Sequence, residues 1–105
     1  MSERENSPEL DSYLRHLLHE KNYSPKTAES YGNDIRQFLK HAGSFEKADE
    51  ASIRAFMEKL SRAKYNRNSV IRKIVACRNF YRFLLRGKKI KSNPLLYIIH
   101  YNYGE

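Results

Sequence analysis

Apolar residues recur at helical spacing in four stretches of this chain, and nowhere do they alternate as a half-buried strand requires. From Glu9 to Lys21 they fall at Leu10, Tyr13, Leu14, Leu17 and Leu18. From Pro25 to Ala42 they fall at Ala28, Tyr31, Ile35, Phe38, Leu39 and Ala42. A third set is Ile53, Phe56, Met57 and Leu60; a fourth is Val70, Ile74, Cys77, Tyr81 and Leu84. Each set draws one stripe down a helix, so each helix has a face to bury and only other helices to bury it against. The expectation is an all-α fold, a small four-helix bundle with short connections.

The chemistry of unpaired backbone groups marks the helix ends. Ser24-Pro25 is the sharpest start: serine caps free N–H groups of the first turn, and proline has no N–H to leave unpaired there. Gly43 offers that helix a left-handed stop. Asp49 caps the third helix, which ends near Arg62 to Lys64. Asn66 or Asn68 caps the fourth and longest, which reaches about Arg86 before Gly87. Asn93-Pro94 breaks any helix. Residues 1–8 read as a flexible N-terminus and residues 9–94 as the helical domain.

Charge is divided unevenly along this frame. Twelve of the 20 Lys and Arg lie from Lys59 onward, against one acid, Glu105; before Lys59, eight basic residues face eleven acids. The net charge of +8 therefore belongs to the second half. At 100° per residue, Val70, Ile74, Cys77, Tyr81 and Leu84 fall within an arc of about 80° on the fourth helix. Arg72, Arg82 and Arg86 fall in another arc of about 80°, roughly opposite, with Arg67 and Arg78 on the border. The helix thus has a core face and a cationic face, and the cationic face has no acids to pair with. A one-sided positive field most often meets a polyanion, nucleic acid being the commonest.

Other functions find little support. No apolar run approaches the length of a membrane span. The polar, acidic N-terminus is no signal peptide. The single Cys77 rules out an internal disulfide, fits a reducing, cytoplasmic setting, and falls in the core arc as packing. His16, His19, His41 and His100 are scattered, so no metal site is expected, and there is no glycine-rich phosphate loop or nucleophile elbow. No cofactor and no catalytic residue is expected.

An α-helix fits the major groove of B-DNA and presents side chains from its first turns to base edges. The second helix offers Lys26, Ser30, Asn33 and Gln37 there; the fourth offers Asn68, Ser69, Arg72 and Lys73. Arg72 is the best candidate for a bidentate contact to guanine. Ser24, Thr27, Arg67, Arg78 and Arg82 suit phosphates. The blander readings are that Ser24 and Asn66 only cap helices and that Lys26, Ser30 and Asn33 form a solvated face. Val75, on the basic arc, reads as a stray exposed apolar residue or as a contact to a thymine methyl.

Ser24-Pro25-Lys26-Thr27, then Tyr31, Asp34-Ile35 and Phe38, resemble a signature of the core-binding domain of tyrosine site-specific recombinases, which include the Xer recombinases and phage-type integrases. Ile53, Phe56 and Leu60 resemble that family's third helix. Arg78-Asn79-Phe80-Tyr81-Arg82-Phe83-Leu84 resembles its fourth, and Ile90, Asn93 and Pro94 the segment that leaves the domain. Asn66 stands where serine is usual, and Cys77 where leucine is. The resemblance implies a SAM-like domain forming half of a clamp around double-stranded DNA, its second and fourth helices in the major groove. By matching, the groove positions are Lys26, Thr27, Ser30, Asn33, Asn68, Ser69, Arg72 and Lys73. It further implies that catalysis belongs to a separate C-terminal domain, that residues 95–105 begin the interdomain linker, and that other recombinase protomers are partners while this domain alone is monomeric. The rivals are a helical protein–protein interaction module and a single-strand or RNA binder that stacks bases on Tyr23, Tyr65, Tyr97, Tyr101 or Tyr103.

Overall fold

A computed structural model of the chain describes residues 7–95. They form four helices, α1 Pro8–His19, α2 Pro25–Ala42, α3 Glu50–Arg62 and α4 Arg67–Arg86, with a short 3-10 turn, Phe45–Lys47, between α2 and α3. No strand occurs among the described residues. The fold is the all-α four-helix arrangement that the apolar spacing implies.

Every helix starts on a side-chain cap. Ser24 Oγ accepts the Thr27 N–H at 3.1 Å. Asp49 and Ser52 cap each other reciprocally, Ser52 N–H donating to Asp49 Oδ1 at 2.8 Å and Asp49 N–H to Ser52 Oγ at 2.9 Å. Asn66 Oδ1 accepts the Ser69 N–H at 2.8 Å, so Asn66 rather than Asn68 is the cap of α4. The start of α1 is earlier than its stripe suggests: Ser7 Oγ accepts from Leu10 N–H at 3.3 Å and Pro8 opens the helix. Ser7 and Pro8 thus belong to the helical domain rather than to a flexible N-terminus, and Ser7-Pro8 is the same signal as Ser24-Pro25.

Each helix is followed by a residue in the left-handed region: Asn22 at φ 57°, Gly43 at φ 99°, Lys64 at φ 71° and Lys88 at φ 60°. Gly43 does what its type suggests, its N–H returning to Leu39 O at 2.8 Å. After α4 the left-handed position falls on Lys88, while Gly87 has φ −82°.

α2 and α4 are the central pair, and each touches all three of the other helices. Ile35 and Phe38 of α2 meet Ile74, Phe80 and Tyr81 of α4 in the core, with Phe56 from α3 and Leu10 and Leu17 from α1. Phe38 meets Phe56 edge-on at 5.3 Å between centroids, and Tyr13 meets Phe80 at 5.5 Å. The Tyr81 hydroxyl donates to Phe45 O at 2.7 Å, tying the 3-10 turn to α4. Because α4 packs against all three other helices, its buried residues include Lys73, Ala76 and Phe80 as well as the expected stripe. At 100° per residue that set spans about 160°, twice the arc read from the sequence.

Beyond α4, Asn93 Nδ2 donates to Arg78 O at 3.3 Å and Asn93 Oδ1 accepts the Leu95 N–H at 2.9 Å. Leu95 is fully buried, so it is part of the core rather than the first residue of a linker. The rest of that tail, residues 96–105, with Tyr97, His100, Tyr101 and Tyr103, lies outside the described residues. No helix among the described residues is long and apolar enough to cross a membrane.

Candidate nucleic-acid interface

The α2–α4 seam holds a buried carboxylate that the charge count hides. Asp34, one of the acids of the first half, points from α2 at the second turn of α4. Its Oδ1 accepts from Lys73 Nζ at 2.8 Å. Arg72 closes the other side, Nε donating to Oδ2 at 3.2 Å and Nη2 to Oδ1 at 3.3 Å. The Asp34 side chain is 3 % exposed and that of Lys73 8 %, whereas 56 % of Arg72 remains exposed. The cationic arc of α4 therefore does have an acidic partner, supplied across the seam from α2. Arg62 likewise meets Glu58 within α3 at 3.1 Å.

This changes what each basic residue is available for. Lys73 is read from the sequence as a groove contact, but it is buried: its ammonium lies on Asp34 and 5.2 Å from the centroid of the Tyr65 ring. Burial takes it out of the solvent-facing set, where a groove contact has to be. Arg72 is in the opposite position. Its Nε–Nη2 edge is held by Asp34, which leaves the outer edge of the guanidinium fork facing away from the carboxylate.

The polar neighbours are set by the same packing. Ser30 and Asn33, both exposed, lie within a turn of Asp34, and Asn33 Oδ1 accepts from Arg36 Nη2 at 2.6 Å. Gln37 Nε2 donates to the Tyr65 hydroxyl at 3.4 Å, linking α2 to the turn that precedes α4. Asn68 and Arg67 are exposed and Ser69 is half-buried. At the other end of α2, the Ser24 hydroxyl caps Thr27 N–H and also donates to Thr27 Oγ1 at 2.9 Å. Its proton is thereby used, and the Thr27 hydroxyl keeps a proton to donate outward. Lys26 and Arg82 are exposed. Arg78 is half-buried, and its Nε has no hydrogen-bond partner among the described residues. Val75 is half-buried.

Along the seam, Asp34 and Gln37 of α2 meet the start of α4, while Tyr23, just before α2, shares a cavity with Asn79 to Arg86 at the end of α4. The two helices thus run in opposite senses. Their capped ends fall at opposite ends of one face, and the candidate residues divide into two groups. Arg72 sits on Asp34, with Ser30 and Asn33 within a turn of that carboxylate on α2 and Asn68 and Ser69 within a turn of Arg72 on α4; Arg67 opens α4, and Ser24, Lys26, Thr27 and Arg82 lie toward the far end. Asp34 itself is absent from the sequence-based site. The signal for it was present: it is an acid on the edge of the α2 stripe, inside the Tyr31 to Phe38 motif.

Cys77 is fully buried in the core beside this seam, as its arc implies. Burial pushes its thiol well above the usual range, with Asp34 adding to the shift and Lys73 opposing it. Among the described residues no three His, Cys, Asp or Glu side chains gather as metal ligands.

Comparison with known proteins agrees with this architecture. Residues 10–88 match the family described as the phage integrase N-terminal SAM-like domain, and the chain belongs to that family. Among curated proteins it is 36 % identical over 93 residues to the tyrosine recombinase XerC of Listeria welshimeri, covering 84 % of this chain and 31 % of that protein. It is 34 % identical over 99 residues to the XerC of Halalkalibacterium halodurans, covering 90 % of this chain and 33 % of the relative. The chain thus spans about a third of the length of the curated relatives it matches. No solved structure matches it.

Proposed function

We propose that this domain binds double-stranded DNA as the non-catalytic half of a tyrosine recombinase clamp, with the α2–α4 face against the major groove. The observation that carries the reading is Arg72: a guanidinium braced on one edge by a buried carboxylate and more than half exposed. That is how a bidentate contact to guanine O6 and N7 is held ready, since less rotamer freedom is lost on binding. Ser30, Asn33, Asn68 and Ser69 surround it as further candidates for base edges. Lys26, Thr27, Arg67 and Arg82 suit phosphates, with Ser24 shaping the turn that presents Thr27. Lys73 acts from behind, as part of the brace. Strand cleavage and joining, and contacts between protomers, belong to the whole protein in this reading. The names of the relatives and the net charge of +8 support it.

The test is a titration of duplex DNA into the isotopically labelled chain at low salt, followed by amide shifts. The reading requires shifts on Ser30 to Gln37 and Asn66 to Lys73 that shrink steeply as salt is added. Duplex binding unaffected by Arg72→Ala and Lys26→Ala would remove the groove assignment.

A further inference from the structure

At the end of the seam away from Asp34, α1, the Asn22–Tyr23 turn and the last turns of α4 enclose a cavity of about 290 Å³. Its wall is aromatic, Tyr13 and Phe83 packing at 5.2 Å between ring centroids. Lys21, Arg82, Arg86 and the amide of Asn79 line it as well. None of these four side chains has an ion-pair or hydrogen-bond partner among the described residues. No acid lines the cavity, and Glu20 on the same stretch of chain faces His16 at 3.2 Å. Three cations gathered on a concave, ring-walled surface repel one another, and an oxyanion relieves that repulsion.

Placement selects the source of the anion. At 100° per residue, Asn79 and Arg86 lie within about 40° of Arg72 around α4. At 1.5 Å per residue they lie about 10 and 21 Å further along it. A base-edge contact at Arg72 does not extend that far, but the backbone of a duplex lying along the face passes the cavity.

We propose that this cavity seats one phosphate of the DNA backbone, flanking the stretch that Arg72 reads, with Lys21, Arg82, Arg86 and Asn79 as its donors. The proposal rests on the duplex-binding reading and adds Lys21, Arg86 and Asn79 to the interface.

The experiment measures affinity of the chain for several duplexes across a salt series, with and without the pair Lys21→Gln and Arg86→Gln. Both side chains are exposed, and an unfolding curve confirms that the variant folds; Arg86→Gln alone carries the test otherwise. The slope of log affinity against log salt becomes shallower by about 1, the contribution of one phosphate. Affinity at low salt falls about tenfold, by the same factor on every duplex. Inorganic phosphate shifts the Asn79 side-chain amide in the parent chain and not in the variant. If the parent binds duplexes and the variant matches it in affinity and slope, the seat is wrong and the duplex reading stands. A loss confined to one duplex sequence also overturns it, since that marks a base contact. So does unchanged duplex affinity with an acidic peptide still docking in the cavity. A parent chain that binds no duplex removes the functional reading itself.

Discussion

The two ends of the α2–α4 seam carry the same kind of charge under opposite conditions. Around Asp34, two cations share one buried carboxylate; the buried one also lies over the Tyr65 ring, and the exposed one donates two hydrogen bonds to the carboxylate. Around Asn79, three cations line a cavity with no acid. A braced guanidinium has a direction, so it suits recognition of one base edge. Unbraced cations supply field without direction, so they suit a phosphate, which offers an acceptor from many angles. Net charge alone does not separate these ends; the position of one aspartate does.

The two ends differ most in energy at Asp34. Asp34→Ala leaves Lys73 buried without its carboxylate, and we expect a loss of about 3 kcal/mol in a urea unfolding curve. Arg82→Ala at the other end is expected to change stability by less than about 0.5 kcal/mol. Near-equal losses for the two would mean that water screens the triad and the brace has no energetic content.

That asymmetry was only partly legible in the sequence. Helix number, order and three of the four caps follow from Ser24-Pro25, Asp49, Asn66 and the apolar spacing, because caps and stripes are local. The stripe alone puts Lys73 outside the core, because it marks only part of the buried face of α4. Packing against three helices widens the buried arc of α4 until a lysine lies inside it. Its aspartate is 39 residues away in the chain, so no helical spacing connects them. Leu95 escapes the pattern for a similar reason: an aperiodic tail gives no stripe, and its burial depends on where Asn93 bonds.

Within the braced end, Lys73 and Arg72 should separate. Lys73→Met is expected to cost about 1–3 kcal/mol of stability, since Asp34 then relies on a half-exposed arginine. Arg72→Ala is expected to cost less than about 1 kcal/mol, because its pair is open to solvent on one side. Unfolding curves of both variants check the order, and a larger loss for Arg72 would reverse the assignment of brace and reader.

The core beside the brace gives a pH signature. A buried thiol keeps its proton in the folded chain, while the unfolded thiol loses it near about pH 8.5. The folded state then binds more protons, so stability falls as pH rises above that point, by up to about 1.4 kcal/mol per pH unit. Tyr13 and Tyr81, also pushed up chiefly by burial, add to the fall from about pH 10. Cys77→Ala is expected to flatten the interval between about pH 8.5 and 10 and leave the later fall in place. Stability measured across that interval checks the slope, whatever the cavity left by the substitution costs overall.

The smallest expected effect lies outside both ends. Lys88 occupies the left-handed region at φ 60°, so Lys88→Gly should raise thermal stability by about 0.5 kcal/mol. Its effect on duplex affinity should be a uniform loss of charge and nothing more, which makes it a control for the unbraced end.

In the proposed interface the Asp34–Arg72 brace turns charge into base recognition. Arg72→Lys isolates that role, because lysine keeps the charge and loses the fork. Duplexes are first selected from a randomised pool with the parent chain, and affinities for these and for scrambled duplexes are compared in both proteins. Arg72→Lys is expected to lose about 1–3 kcal/mol of discrimination at one base pair while its salt slope stays unchanged. An equal affinity change on selected and scrambled duplexes, with discrimination intact, would contradict it.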